Sequence, residues 1–434
     1  MLKHSKGQWA WFIKTVITAL FLSLFFCFIQ SAYAVCDIKT NGRNFACLDN
    51  SRFFWMGDTS WTFSTSDLPC GTSCSSGDFA GYVDVRAAQG FNVIQGNIFH
   101  YPKAAEPGRN ADEDVKATNE NNNSPFCTKS GSQCTSNCTN VAVNSWSYDC
   151  PNPAYYQNVK NRIAYMNSQG IIAAIAPGWG ANFDCSSIPG VPGAPAWTTA
   201  QINSYYDYLA GYFGNANPDL QIIWLVSSNT NSAGPANCSN VTWQSLAARI
   251  NNVDDNDGQA HLITIHPKAS PPGGYDIAQL QNQPCEDPTP VTDNLGGVPV
   301  VDGEFNYEVT DSCWDYKTDP NSSCQETNFS GLTSDGACSC DASVNENHHA
   351  KPDIVLYGAW SVVMRGGYFT YGNASTYYKF ADKSNCIDDK QSTAADDMTI
   401  LYDFFNNHPD GTVKWNETGF GPKNPPLSSA EDEV

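Results

Sequence analysis

A chain of 434 residues with 41% hydrophobic and 12% aromatic side chains can bury a large core, which excludes a disordered, collagen-like or small disulfide-only protein. With 23 Lys+Arg against 44 Asp+Glu the formal charge is −21, so nucleic acid and anionic membrane surfaces are poor partners and neutral or sparsely charged ligands fit better. A local basic pocket would still admit one acidic ligand.

The chain opens with Lys3, Lys6 and Lys14 and no acid, then an apolar run over 16–29, then Ala32-Tyr33-Ala34. This is the pattern of a secretory signal peptide over 1–34, cleaved before Val35. The apolar run, about 14 residues, is shorter than the roughly 20 that span a bilayer, which weighs against a retained anchor. The leader takes three lysines and no acid with it, which moves the charge from −21 to −24.

Apolar, β-branched runs follow at 53–57, 92–99, 171–176, 222–226, 261–265, 298–301 and 368–371, with an eighth expected within 275–283. Stretches of helical character lie between them at 80–89, 154–168, 198–213, 242–253 and 353–364. Near-continuous apolar strands alternating with helices predict a parallel sheet covered on both faces. About eight such units in one domain favour an α/β fold of the (β/α)8 TIM-barrel type over an open doubly wound sheet. No G-x-G-x-x-G follows any strand, which weakens a dinucleotide-binding reading further. The barrel is expected over 35–410, with a polar tail over 411–434.

Two stretches break the rhythm, 100–153 and 305–351, both polar and too long for ordinary connections. Each follows the C-terminal end of a strand, so both are expected to rise from the barrel face that carries active sites. They read as the walls of a cleft or as surface decoration. Cys27 leaves with the leader and an even 16 of the 17 cysteines remain, most simply as up to eight disulfides in an oxidising compartment, holding these loops. The spacings Cys70/Cys74, Cys134/Cys138 and Cys338/Cys340 raise metal binding, but no histidine stands at a partnering distance, and His348-His349 alone is a weak signal. Neither a metal nor a cofactor is expected. Sequons at Asn240, Asn328 and Asn373 agree with export.

Carboxylates at strand ends are the first candidates for chemistry. Asp58 follows the first strand in Trp55-Met-Gly-Asp-Thr-Ser-Trp, and Glu304 ends a late strand in Val300-Val-Asp-Gly-Glu-Phe-Asn-Tyr-Glu. Cleavage of a glycosidic bond needs two carboxyl groups, one to protonate the leaving oxygen and one to attack or to activate water. Either acid alone is more commonly a cap or an ion-pair partner. Trp55, Trp61, Trp179 and Trp224 lie in or beside strands, where an indole face can stack on a sugar ring or simply fill the core. His266 closes the fifth strand and suits a hydroxyl contact as well as a structural role. G-x-S-x-G, H-E-x-x-H and the phosphate-binding G-x-x-x-x-G-K-[ST] are absent.

Five motifs in order, Trp55-Met-Gly-Asp-Thr-Ser-Trp, Arg86-Ala-Ala-Gln-Gly-Phe-Asn-Val-Ile-Gln, Ile263-Thr-Ile-His-Pro, Val301-Asp-Gly-Glu-Phe-Asn-Tyr-Glu and Ala359-Trp-Ser…Thr370-Tyr-Gly, resemble the apiosidase-like (β/α)8 glycoside hydrolases over roughly residues 45 to 405. The resemblance implies a retaining carboxylate pair at the ends of the fourth and seventh strands, with Glu304 as nucleophile. It also implies that Asp58 and His266 help hold the sugar, and Trp61, Trp179, Glu308 and Tyr371 are the further substrate-binding candidates. Glu308 is also the nearest rival to Glu304. At the fourth strand the chain departs from the family pattern. Where the family tends to read Trp-x-x-Gly-Gly-Asp, it has Trp224-Leu-Val-Ser-Ser-Asn229, an amide in place of the acid/base. The β-sandwich that often follows the barrel in that family is not expected within these residues. The expectation is a secreted, monomeric glycosidase acting on a polysaccharide or oligosaccharide, without nucleic-acid or membrane partners. The alternatives are a non-catalytic carbohydrate-binding relative and a Cys-rich structural protein.

Overall fold

The computed structural model describes residues 35–66, 68–71, 74–101, 117–189, 191–230, 232–254, 261–267, 275–280, 297–304, 307–308, 349–350, 352–364, 366–373 and 393–406. The expected leader, the expected tail and nearly all of 305–351, with Cys313, Cys324, Cys338 and Cys340, lie outside the described residues.

Eight parallel strands make the wall of a barrel. They are β1 (Met56–Thr59), β2 (Val93–Asn97), β3 (Ile172–Ala176), β4 (Ile222–Thr230), β5 (Ile263–Pro267), β6 (Ala278–Leu280), β7 (Val300–Asp302) and β8 (Tyr368–Asn373). The order along the sheet is β5-β4-β3-β2-β1-β8-β7-β6, with every neighbouring pair parallel. At the remaining seam, Asp276 N donates to Ile263 O at 3.0 Å, Ile263 N to Asp276 Oδ2 at 2.9 Å and Thr264 Oγ1 to Ile277 O at 2.9 Å. The ring is therefore nearly closed, as the alternation of strands and helices predicts. Every residue of β2 and β3 is buried, which is what near-continuous apolar strands require.

Helices α1 (Asp78–Ala88), α2 (Pro153–Ser168), α3 (Thr199–Leu209), α4 (Trp243–Asp254), α5 (Pro352–Met364) and α6 (Thr393–Asn406) cover the wall. Their starts are written locally. Asn152 accepts from Ala154 N at 3.1 Å ahead of Pro153, and Thr198 with Gln201 forms a reciprocal cap on α3. Beyond α3 the chain continues in a wider π turn, Ala210–Asn215. There Gly214 lies against α4, and a Cβ at this position would stand 1.4 Å from Asp254 Oδ1.

The first strand lies later than its apolar run predicts. Arg52–Phe53 is instead the edge of a three-stranded antiparallel sheet with Ile38–Asn41 and Asn44–Cys47. This sheet places Phe45 against Trp55 and Tyr368, with ring centroids 5.3 and 4.8 Å away, at the N-terminal end of the barrel. Helix α6 was also not expected. Among the described residues five disulfides form, Cys36–Cys47, Cys70–Cys74, Cys127–Cys138, Cys134–Cys150 and Cys185–Cys238. Cys70 and Cys74 lie within metal-binding reach of Glu120. The disulfide takes up both sulfurs, and Glu120 is held by Arg162 Nη2 at 2.6 Å and Asn158 Nδ2 at 2.7 Å. No helix among the described residues is long and apolar enough to cross a membrane.

Candidate active site

The C-terminal ends of β5 and β7 bring together two of the candidates. His266, fully buried, has its Nε2 3.3 Å from Glu304 Oε2, and Glu304 keeps 8% of its surface exposed. The indole of Trp61 stands 5.2 Å from the His266 ring at 76°, and 4.9 Å from the half-buried ring of Trp179. Four residues singled out from the sequence, Glu304, His266, Trp61 and Trp179, thus share one site at the end of the barrel where such sites are built.

A second bank of side chains escaped sequence reasoning. Asn97 ends β2, His100 follows it, and Ser228 lies on β4. Ser228 Oγ donates to Asn97 Oδ1 at 2.7 Å, and His100 Nε2 lies 2.6 Å from the Trp61 carbonyl oxygen. A carbonyl only accepts, so Nε2 carries a proton there. The His100 ring also meets Trp179 edge-on at 6.2 Å. The available signal was the period-2 alternation of β2, which puts Asn97 on the same side as the interior Gln95. Asn229, the next residue along β4, occupies the tip of that strand, and its side chain lies outside the described residues.

The described part of the long loop after β2 is packed, not loose. Phe126 meets Phe99 at 5.4 Å, Tyr148 stacks on Trp197 at 3.7 Å, and Tyr101 Oη shares a 2.6 Å hydrogen bond with Tyr148 Oη. With Cys127–Cys138 and Cys134–Cys150 it forms an aromatic, disulfide-tied layer beside the tip of β2.

Three expected site residues lie elsewhere. Asp58 faces α1, fully buried, and accepts from Tyr82 Oη and Arg86 Nε at 2.5 Å each, and from Thr59 N at 2.8 Å. Tyr371 is registered beside Asp58 in the sheet, its ring 5.2 Å from the Arg86 guanidinium carbon. It donates to Glu308 Oε2 at 2.5 Å, and Glu308 Oε1 accepts from Ala394 N in the first turn of α6. Asp58, Tyr371 and Glu308 therefore belong to a buried network that clamps helices to the outside of the barrel. Burial would pull the Arg86 guanidinium down, but the Asp58 charge, with Tyr371 and Tyr82, holds it above the ordinary arginine range. Removing one partner of such a pair strands a buried charge at a cost of about 3–5 kcal/mol. Asp58→Asn should lower the unfolding free energy from urea titration by that much, moving the midpoint down, while the folded enzyme keeps its KM. An unshifted midpoint with a raised KM would return Asp58 to the cleft.

Of the other candidates, Trp55 donates Nε1 to Thr370 Oγ1 at 3.2 Å and Trp224 donates to Asp254 Oδ2 at 2.9 Å, so both serve packing. Burial raises the Asp184 carboxyl, but donors from Asn237, Ser186 and Ser187 outweigh it and hold the group below its usual range. Asp184 is thus an ionised turn anchor. Glu106 lies outside the described residues.

The assembled site offers a carboxylate, an imidazole, an amide and a hydroxyl against two indoles. Such a surface suits a ligand with apolar ring faces and hydroxyl edges. The family described as Apiosidase-like, catalytic domain, matches residues 39–418. Among solved structures, a glycoside hydrolase family 5 protein from Bacteroides vulgatus is similar at 15% identity, over 86% of this chain and 73% of that one, with a TM-score of 0.55. Another, described as a glycoside hydrolase, is similar at 16% identity over 87% and 76%, with a TM-score of 0.53. At these identities the likeness is one of fold, and it agrees with the barrel read from the sequence. A comparison with curated proteins returns no match.

Proposed function

This chain belongs to the Apiosidase-like family, and we propose that it is a secreted glycoside hydrolase of the retaining type, with Glu304 as nucleophile. One observation carries the reading. Glu304 is a nearly dry carboxylate at the tip of β7, 3.3 Å from His266, whose ring in turn meets Trp61 of the Trp61–Trp179 pair. In the proposed cycle a Glu304 oxygen attacks the anomeric carbon and the glycosidic bond breaks. The leaving oxygen takes a proton from water or, on an activated aryl glycoside, departs as the anion, and water then hydrolyses the glycosyl ester. His266, Asn97 and Ser228 are assigned to the sugar hydroxyls and Trp179 to the ring face. Asp58, Tyr371 and Glu308 are assigned to the scaffold.

The charge of −24 after loss of the leader favours a neutral polysaccharide or oligosaccharide. The leader motif and the five described disulfides support secretion. The barrel over 35–410 is assigned the whole activity, in a monomer. The test is a panel of 4-nitrophenyl glycosides, with the first-formed product anomer followed by proton NMR. Hydrolysis with retained configuration is expected. An inverted first product would overturn the nucleophile. Asn229 at the family's acid/base position favours a second reading, a carbohydrate-binding relative without turnover. Sugar binding without hydrolysis of any glycoside would establish that reading instead.

A further inference from the structure

We infer that Gln95 is a positioning residue for Glu304. It holds the carbonyl of Gly303, and through it the direction in which Glu304 leaves β7; the inference rests on the reading of Glu304 given above. Gln95, Thr59 and Gln279 are all fully buried. Gln95 Nε2 donates to Thr59 Oγ1 at 2.9 Å and to Gly303 O at 2.6 Å, and its Oε1 accepts from Gln279 Nε2 at 2.7 Å. One amide thereby ties β1, β2 and β6 to the exit of β7.

The orientation of that amide follows from chemistry. The Gly303 carbonyl can only accept, so the nitrogen must face it, and both amide hydrogens are then engaged. Turning the amide over would set oxygen against oxygen in a fully buried site, where an unmade hydrogen bond is costly. Gly303 is held from its other side too, since its N–H donates to Leu280 O at 2.8 Å. A Cβ on Gly303 would stand 2.1 Å from Gln279 Nε2. Only glycine therefore allows the glutamine relay to close over this peptide. The residue before Glu304 is thus fixed at both its donor and its acceptor, and the carboxylate beside His266 grows from a rigid root. With both amide hydrogens and its oxygen engaged inside the barrel, Gln95 acts through Glu304 and not on the sugar.

Gln95→Met keeps the side chain's length and removes all three hydrogen bonds. A displacement of about 1 Å in a reacting group costs on the order of 100-fold in rate. kcat on the best 4-nitrophenyl glycoside of the panel should fall by about that factor, while KM stays within about threefold. A second readout does not depend on turnover: the NMR titration of the His266 imidazole in wild type, Glu304→Gln and Gln95→Met. A carboxylate 3.3 Å away shifts an imidazole, so wild type and Glu304→Gln should differ, with Gln95→Met moved toward Glu304→Gln. A cooperatively folded Gln95→Met protein with a wild-type His266 titration would overturn the positioning role. Full activity in Glu304→Gln would overturn the nucleophile reading instead, and the titration would still decide Gln95. Should Gln95→Met fail to fold, Gln95→Glu replaces it. Its carboxylate accepts from Gln279 and Thr59 but cannot donate to Gly303 until protonated. His266 should then titrate away from its wild-type course, and a course identical to wild type would overturn the inference.

Discussion

Glu304→Gln should lower kcat on an activated aryl glycoside on the order of 1,000-fold or more, because an amide cannot form the glycosyl ester through which a retaining enzyme works. The fold should survive. The substitution conserves shape, and the amide can sit where the carboxylate does, 3.3 Å from the His266 imidazole. A thermal melt of unchanged cooperativity beside the lost turnover separates chemistry from folding. Glu308 is the control. Its two oxygens accept from Tyr371 Oη and Ala394 N inside the wall, so Glu308→Gln should loosen α6 and lower the melting temperature while the folded fraction keeps its turnover. If Glu308→Gln abolishes turnover in a stably folded protein and Glu304→Gln does not, the two assignments exchange.

The same contrast explains what the sequence discloses. Strand ends carry the site, and strand ends are legible. Glu304, His266, Trp61 and Trp179 each follow or close an apolar run, and all four meet in space. Asp58 satisfies the same local criterion and lies elsewhere. Its partner Arg86 is on α1, and only the packing of that helix on β1 shows that the carboxylate turns outward. The burial of this ion pair also blurs β1 itself, because a strand with Asp58 on its helix-facing side lacks the unbroken apolar run seen in β3. Asn97, His100 and Ser228 were hidden for another reason. Short polar residues at a strand tip are also what turns are made of, and nothing local separates the two uses. Helix α6 is legible in the spacing of its apolar residues. Ala394, Ala395, Met398, Leu401 and Phe405 are its buried residues and recur at helical spacing. The disulfides show the limit of spacing as a guide. Cys134 and Cys138 sit four apart yet pair with Cys150 and Cys127, through backbone brought together by the aromatic layer of the loop.

The amide at the tip of β4 sets the remaining expectation. Asn229→Asp should raise kcat/KM on a natural linkage by about 100-fold or more, the usual worth of a positioned general acid, and on a 4-nitrophenyl glycoside far less. A sugar alkoxide is a poor leaving group and must receive its proton as the bond breaks, whereas 4-nitrophenolate leaves without one. Wild type should therefore form the glycosyl ester from the aryl substrate and then stall, since no base activates water for the second step. A burst of nitrophenol followed by slow turnover is the expected trace, and Asn229→Asp should speed the slow phase. If wild type cleaves natural linkages at roughly 1–1,000 per second and Asn229→Asp adds nothing, the proton comes from elsewhere. Asp58, Glu308 and Asp184 each have their carboxylate oxygens committed to donors within the fold. An acid on the long loops, such as Glu106, is then the place to look, and its substitution by glutamine should stop cleavage of the natural linkage and spare the aryl one.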